Sequence, residues 1–139
     1  PSSISYTGNN RTHMIRVPDA GRFELRLMDG SSNPYLLQAG GIAAGLYGLN
    51  NKIDPGEPLS CNMYTDYKNY PNLKKLPNEI EDALDFLQNS KELKEAFGDD
   101  VITSYIKLKN MEIKDFNKEE KFDKKSSVTH WEKNSTLDC

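Results

Sequence analysis

The period of apolar and polar residues changes several times along the chain, and each change predicts an element. Residues 1–9 are polar and carry Gly8, which predicts a loop. Met14-Ile15-Arg16-Val17 predicts a short strand that stops at Pro18. Asp19-Ala20-Gly21 has turn chemistry, since Asp tolerates turn geometry and Gly supplies a positive φ. From Arg22 to Leu27 charged and apolar residues alternate strictly, as in a strand with one wet and one buried face. Two strands joined by so short a turn predict a hairpin.

The pattern then widens. After the turn cluster Asp29–Ser32, Asn33 and Pro34 have the chemistry of an N-cap and a first helical residue. The helix Tyr35–Leu49 has no charged residue, which predicts burial on most sides, behind the sheet. Gly40, Gly41, Gly45 and Gly48 lower its helix propensity, which close approach to a neighbour would offset. Asn50-Asn51 ends it. Residues 52–76 hold Pro55, Pro58 and Pro71 and predict a long loop of functional or covering character. Within it Tyr64, Tyr67 and Tyr70 form either an interface patch or a set of loop anchors.

Pro77-Asn78-Glu79 opens an amphipathic helix with Ile80, Ala83, Leu84 and Leu87 at helical spacing. A short helix, Lys91–Phe97, closes at Gly98, and Asp99-Asp100 opens a long one bearing Val101, Ile102, Tyr105 and Ile106. From Lys107 to Lys125, 12 of 19 residues are charged with both signs mixed, which predicts a solvated face. Ser126-Ser127 interrupts it. A last segment, Val128–Lys133, carries Trp131 as a packing anchor. No internal repeat is present. The fold class is α+β, with short antiparallel strands packed on several helices.

Charge narrows the function. Lys plus Arg is 18 against 21 for Asp plus Glu, a net charge of −3, which argues against binding nucleic acid through a basic excess. No apolar run approaches the roughly 18–20 residues that cross a bilayer, and no signal-peptide pattern is seen. The expectation is a cytoplasmic protein with no nucleic-acid or membrane partner. Cys61 and Cys139 stand far apart and form no disulfide framework, so reduced thiols are expected.

The hairpin carries the densest chemistry. Period two places Arg22, Glu24 and Arg26 on one face and Phe23, Leu25 and Leu27 on the other. Arg11 and Arg16 lie just upstream. A carboxylate so placed can ligate a hard cation such as Mg²⁺, and guanidinium forks can hold phosphate or carboxylate oxygens. Two readings stay open on spacing alone: a site for an anionic, metal-bound substrate, or a salt-bridge network on a solvated sheet. His13 and His130 lack metal-ligand spacing, so no zinc site is predicted and both are expected to be ordinary surface or partly buried histidines. Gly40-Gly41 and Gly45 sit inside a helix and do not form a phosphate loop.

In order along the chain, several motifs resemble the C-terminal catalytic strands and following segments of glutamine synthetases. They are Asn10-Arg11, Ile15-Arg16-Val17-Pro18, Arg22-Phe23-Glu24-Leu25-Arg26, Asn33-Pro34-Tyr35-Leu36, Ala43-Ala44-Gly45-Leu46, and Asn51-Lys52-Ile53-Asp54-Pro55-Gly56-Glu57-Pro58. Asn62-Met63-Tyr64, Leu76-Pro77, Ala83-Leu84 and Tyr105–Lys109 extend the match. The turn Asp19–Gly21 and the ending Ser135–Cys139 are most similar to a subgroup that includes γ-glutamylmethylamide synthetases. The resemblance covers nearly the whole chain outside residues 114–127. It implies that residues 1–139 are the C-terminal portion of a catalytic domain, with the N-terminal domain and the rest of the catalytic domain outside this chain.

The resemblance also implies chemistry. The family joins glutamate and ammonia with ATP and Mg²⁺ or Mn²⁺, through γ-glutamyl phosphate, in large homo-oligomers. By resemblance, Glu24 is a metal ligand that also touches the transferred phosphoryl group. Arg11 and Arg26 are catalytic and bind substrate, and Arg16 and Arg22 are near the nucleotide. The turn between Arg16 and Arg22 is shorter than in the common bacterial form and has no lysine, so one nucleotide contact is not expected here. A ligase preferring an alkylamine over ammonia, or a non-catalytic remnant or interaction module, are the alternatives. The chain alone is expected to be inactive.

Overall fold

The computed structural model describes residues 1–119 and 128–136. They form two compact units, one of Pro1–Asp29 with Lys52–Ala83, the other of Gly30–Asn51 with the described residues from Leu84 onward.

The first unit holds a three-stranded sheet in the order β1 (Tyr6–Thr7), β2 (Ile15–Asp19), β3 (Arg22–Leu25). β2 and β3 are the expected antiparallel hairpin, in the register Ile15↔Leu25, Arg16↔Glu24 and Asp19↔Arg22. Gly21 closes its turn at φ 76°, where a side chain would be strained. β2 does not stop at Pro18 but runs through it to Asp19. Proline has no N–H to give the ladder, and the pairing is irregular between Arg16 and Asp19. β3 ends at Leu25 rather than Leu27, although the Arg26 amide still donates to the Met14 carbonyl at 2.9 Å.

β1 falls where a loop was expected, and it pairs parallel with β2, so the sheet is mixed rather than antiparallel. Two residues carry no readable alternation. Distant backbone holds them: the Leu59 amide donates to the Tyr6 carbonyl at 3.0 Å, and the Tyr6 hydroxyl to the Gly56 carbonyl at 2.7 Å. Ser3 bridges Lys75, flanked by amide bonds from Ile4 to the Lys74 carbonyl and from Leu76 to the Ser2 carbonyl. The long segment 52–76 therefore clasps the N-terminal stretch. It also contains a short helix, α2 (Met63–Asp66), capped by the Asn62 side chain, and a 3₁₀ turn, Tyr67–Asn69. Thr7, His13 and Met63 are buried.

The second unit is helical. α1 (Pro34–Asn50) starts as expected, with the Asn33 side chain accepting from the amides of Tyr35 and Leu36 at 3.0 and 3.1 Å. Its expected burial does not occur: no residue of α1 is buried, and Leu49 is 76% exposed. Nothing stands within 4 Å of a Cβ placed on Gly40, Gly41, Gly45 or Gly48, so no neighbour uses the space they leave. The physical reason is a shortage of partners, since α1 packs mainly on one short helix, α4 (Lys91–Phe97). α3 (Ile80–Asn89) buries Leu84, and α5 (Asp99–Glu119) buries Ile102. Ser90 caps α4, and Gly98 ends it at φ 85° with its amide on the Lys94 carbonyl. In α6 (His130–Thr136) Trp131 meets Phe116 of α5 edge to face at 5.6 Å, as an anchor should. α5 carries the ion pairs Lys109–Glu112 and Lys118–Asp115 one turn apart. The rest of the charged run, residues 120–127, and Cys139 lie outside the described residues.

Ile102→Ala is expected to cost about 2–4 kcal/mol in denaturant unfolding, the scale of a truncated core side chain. Leu49→Ala should cost less than about 0.5 kcal/mol, as an exposed substitution does. Equal losses would show that α1 is packed.

Candidate active site

All five candidate residues lie in the first unit. The hairpin register sets Arg16 across from Glu24. One guanidinium nitrogen of Arg16 donates to both Glu24 oxygens at 2.7 Å. The other two nitrogens, Nε among them at 3.0 Å, donate to the Asn9 side-chain oxygen. All three guanidinium nitrogens are thereby engaged, and the side chain is only 11% exposed. Arg22 reaches the same carboxylate at 3.3 Å but stays 60% exposed. Arg26 makes no ion pair with Glu24. Its Nε donates to the backbone carbonyl of Arg11 at 3.1 Å. The exposed Arg11 side chain makes no hydrogen bond or ion pair among the described residues, so its guanidinium faces solvent.

The charges act on Glu24 in one direction. The hydrogen bond from Arg16, with the fields of Arg16, Arg22 and Arg26, holds its carboxyl below the ordinary range, against a smaller opposing effect of desolvation. Glu24 is thus a fixed anion inside a cationic cluster. Such a cluster can accept a further anion, because the cations outnumber the carboxylate. The salt-bridge network weighed from sequence is present, and its members, Arg16, Arg22 and Glu24, are the residues to which the resemblance gave nucleotide and metal roles. Metal binding is another matter. No group of three His, Cys, Asp or Glu residues among the described residues could hold an ion, so this chain does not build a metal site from them.

Sequence reasoning missed what holds the cluster. Asn9 orients Arg16. Asn10, Thr12 and His13 fasten the turn that carries Arg11 to residues 61–63. His13 is fully buried, not a surface or partly buried residue, because both its ring nitrogens have partners inside the unit. The signal was there only as polarity packed around Arg11, which spacing does not distinguish from a solvated loop. Of the three tyrosines, Tyr64 and Tyr67 are exposed, whereas Tyr70 is partly covered. The neighbouring Cys61 side chain pushes the Tyr70 phenol up. Cys61 is a free thiol. A cleft of about 250 Å³ opens beside Thr12, Met63 and Tyr64, but none of the five candidate residues lines it.

The glutamine synthetase catalytic-domain model matches residues 1–132. This chain belongs to the glutamine synthetase family. A glutamine synthetase of Rhizobium meliloti (strain 1021) is 47% identical over 138 residues, 99% of this chain and 30% of that protein. A glutamate–methylamine ligase of Methyloversatilis universalis is 39% identical over 142 residues, with the same two shares. Among solved structures, "GmaS/ADP complex-Conformation 1" superposes with a TM-score of 0.80 at 40% identity, covering all of this chain and 30% of that one. The chain therefore spans about a third of the length of the relatives it matches. Glutamine synthetases and an amine ligase both stand among them, so the family is shared and the preferred amine is not separated.

Within this chain the acid limb of stability has a fixed sign. A carboxyl held low in the folded state contributes stability above its unfolded value, near 4.5, and loses it as pH falls through the folded value. Glu92, lowered by a backbone N–H, and Glu132, lowered by the Thr129 backbone and side chain, act in the same direction. Denaturant unfolding from pH 6 down to pH 2 should show a falling limb that Glu24→Gln makes shallower. An unchanged limb in Glu24→Gln would mean that the Arg16 pair contributes nothing to it.

Proposed function

We propose that this chain is the C-terminal catalytic part of a glutamine synthetase, a cytoplasmic ATP-dependent ligase that joins ammonia to the γ-carboxylate of glutamate. The observation that carries the proposal is the hairpin, with Arg16 set across from Glu24, Arg22 on the same carboxylate and Arg26 bonded to the carbonyl of the exposed Arg11, inside a family match over residues 1–132. In the first step the γ-carboxylate of glutamate attacks the terminal phosphorus of ATP, and ADP leaves. In the second, ammonia attacks the acyl carbon of γ-glutamyl phosphate, phosphate departs, and the ammonium nitrogen sheds a proton. Both steps spread negative charge over oxygens, and preorganised cations stabilise such charge most effectively.

The roles are those the family resemblance implies, and the exposure of Arg11 and Arg22 is compatible with them. Arg11 and Arg26 are proposed to bind glutamate and the transferring phosphoryl group, and Arg11 suits this because its side chain has no partner to give up among the described residues. Arg22, half committed to Glu24, is proposed to meet the nucleotide together with Arg16. Glu24 is proposed as one carboxylate of a Mg²⁺ or Mn²⁺ site whose other ligands the described residues do not supply, so no step is derived through the metal. The family's homo-oligomeric state is proposed for the parent enzyme. The methylamine ligase among the relatives supports a second reading, in which an alkylamine replaces ammonia.

Four experiments test this. An immunoblot of source cells with an antibody to this chain should show a band several times larger than 15.8 kDa, and a band at that mass would withdraw the enzyme assignment. In the full-length protein Arg26→Ala should lower glutamine formation by about 10²-fold or more, the scale of one lost charge-stabilising donor. Normal activity would refute the substrate role. The 139-residue chain by itself should form no glutamine from ATP, Mg²⁺, glutamate and ammonium. Phosphate release with methylamine in place of ammonium separates the two readings.

A further inference from the structure

We infer that His13 is a positioning residue for Arg11. This rests on the proposed function, in which Arg11 touches the substrate. The ring is wholly buried, and both nitrogens are used. Nε2 lies 2.9 Å from the Cys61 carbonyl and Nδ1 lies 3.0 Å from the Ser5 hydroxyl. A carbonyl can only accept, so in the neutral ring Nε2 carries the hydrogen, and Nδ1 accepts from Ser5. The imidazole thereby ties the residue before β1 to residue 61, with the Arg11 turn between them.

The same carbonyl holds the turn at its other end. Asn10 Nδ2 also donates to the Cys61 oxygen, at 2.9 Å. Asn10 Oδ1 accepts from both the amide and the hydroxyl of Thr12, and Thr12 Oγ1 in turn accepts the Met63 amide at 3.0 Å. Arg11 is thus bracketed on both sides by side chains bonded to one short piece of backbone, while its own side chain stays out in solvent. Its carbonyl receives Arg26 Nε. Displacing the turn would therefore shift two candidate substrate arginines together. Arg16 hangs from Asn9 and Glu24 instead, with no bond of its own to the Cys61 carbonyl or the Met63 amide among the described residues.

A purely structural histidine would change stability without separating these functions. His13→Phe keeps a ring of similar size and removes both hydrogen bonds. His13→Gln keeps a donor where Nε2 stands. In the 139-residue chain, His13→Phe should speed hydrogen exchange of the Thr12 and Met63 amides at least tenfold, with Ile102 unchanged. Unchanged exchange at both amides overturns the inference. In the full-length enzyme His13→Phe should lower kcat at least tenfold and leave the KM for ATP within twofold, and His13→Gln should recover most of the loss. A folded His13→Phe enzyme with normal kcat overturns it, as does equal damage to kcat and to the KM for ATP. Arg11→Ala is measured alongside. If Arg11→Ala is fully active, the proposed function fails, and with it the reason to position Arg11. If Arg11→Ala is inactive and His13→Phe is normal, only the present inference fails. Should His13→Phe not fold, Ser5→Ala and Asn10→Asp, each removing one bond of the bracket, decide by the same criteria.

Discussion

The first unit depends on the Arg16–Glu24 pair. Arg16 is almost entirely covered, and a covered guanidinium without a counter-charge is strongly unfavourable. The pair therefore acts as a register pin. Slipping the hairpin by one residue would send Glu24 to the opposite face and leave Arg16 unpaired. The pin matters more because Pro18 gives β2 one fewer ladder bond and the register shifts around it. Backbone pairing alone specifies this hairpin weakly, and charge specifies it strongly. The electrostatics proposed for catalysis and the interaction that fixes the strands are thus the same contact. An incoming anion would find Arg16 already committed on three nitrogens, and Arg22 and Arg11 the cations with reach to spare.

The second unit shows the opposite economy. Its longest uncharged element, α1, has good local chemistry, with an Asn cap and Pro at the first position, yet buries none of its residues. Apolar surface contributes to stability at about 25 cal/mol per Å² only when it leaves water. Leu49, Ile42 and Tyr35 remain in it. Ile102, Leu84 and the Phe116–Trp131 contact do most of the apolar work. Under the proposed function the remaining length of the enzyme would supply the missing partner surface.

What the sequence made legible follows from the range of each interaction. The hairpin, the Asn33 cap and the Gly98 stop rest on neighbours within a few residues, and all are present; the Trp131 anchor reaches back to Phe116 on the preceding helix. β1 and the clasp of residues 52–76 rest on bonds spanning about fifty residues, and no local pattern announces them. The burial of α1 was misjudged for a related reason. Composition tells what a helix would prefer to touch, not whether the chain brings anything to touch it. At the candidate site period two picked out Arg22, Glu24 and Arg26, and the family motifs added Arg11 and Arg16. Their supports, Asn9, Asn10, Thr12 and His13, were not legible, because polar residues around an arginine look alike whether they hold it or merely dissolve it.

That last ambiguity has a physical resolution in the composition of the first unit's interior. Two of its three buried residues, Thr7 and His13, are polar, and only Met63 is apolar. Such an interior gives up hydrophobic stabilisation. Among the described residues no buried side-chain nitrogen or oxygen lacks a partner, so it also avoids the penalty of unsatisfied groups. What it gains is direction. Apolar packing tolerates small slides, whereas a hydrogen-bonded network with every donor matched has one favoured arrangement. Under the proposed function, a turn that presents Arg11 to a substrate oxygen needs direction more than depth. The polar interior beneath it is therefore what a charge-stabilising site requires, and an apolar core there would hold the turn more tightly overall but less accurately.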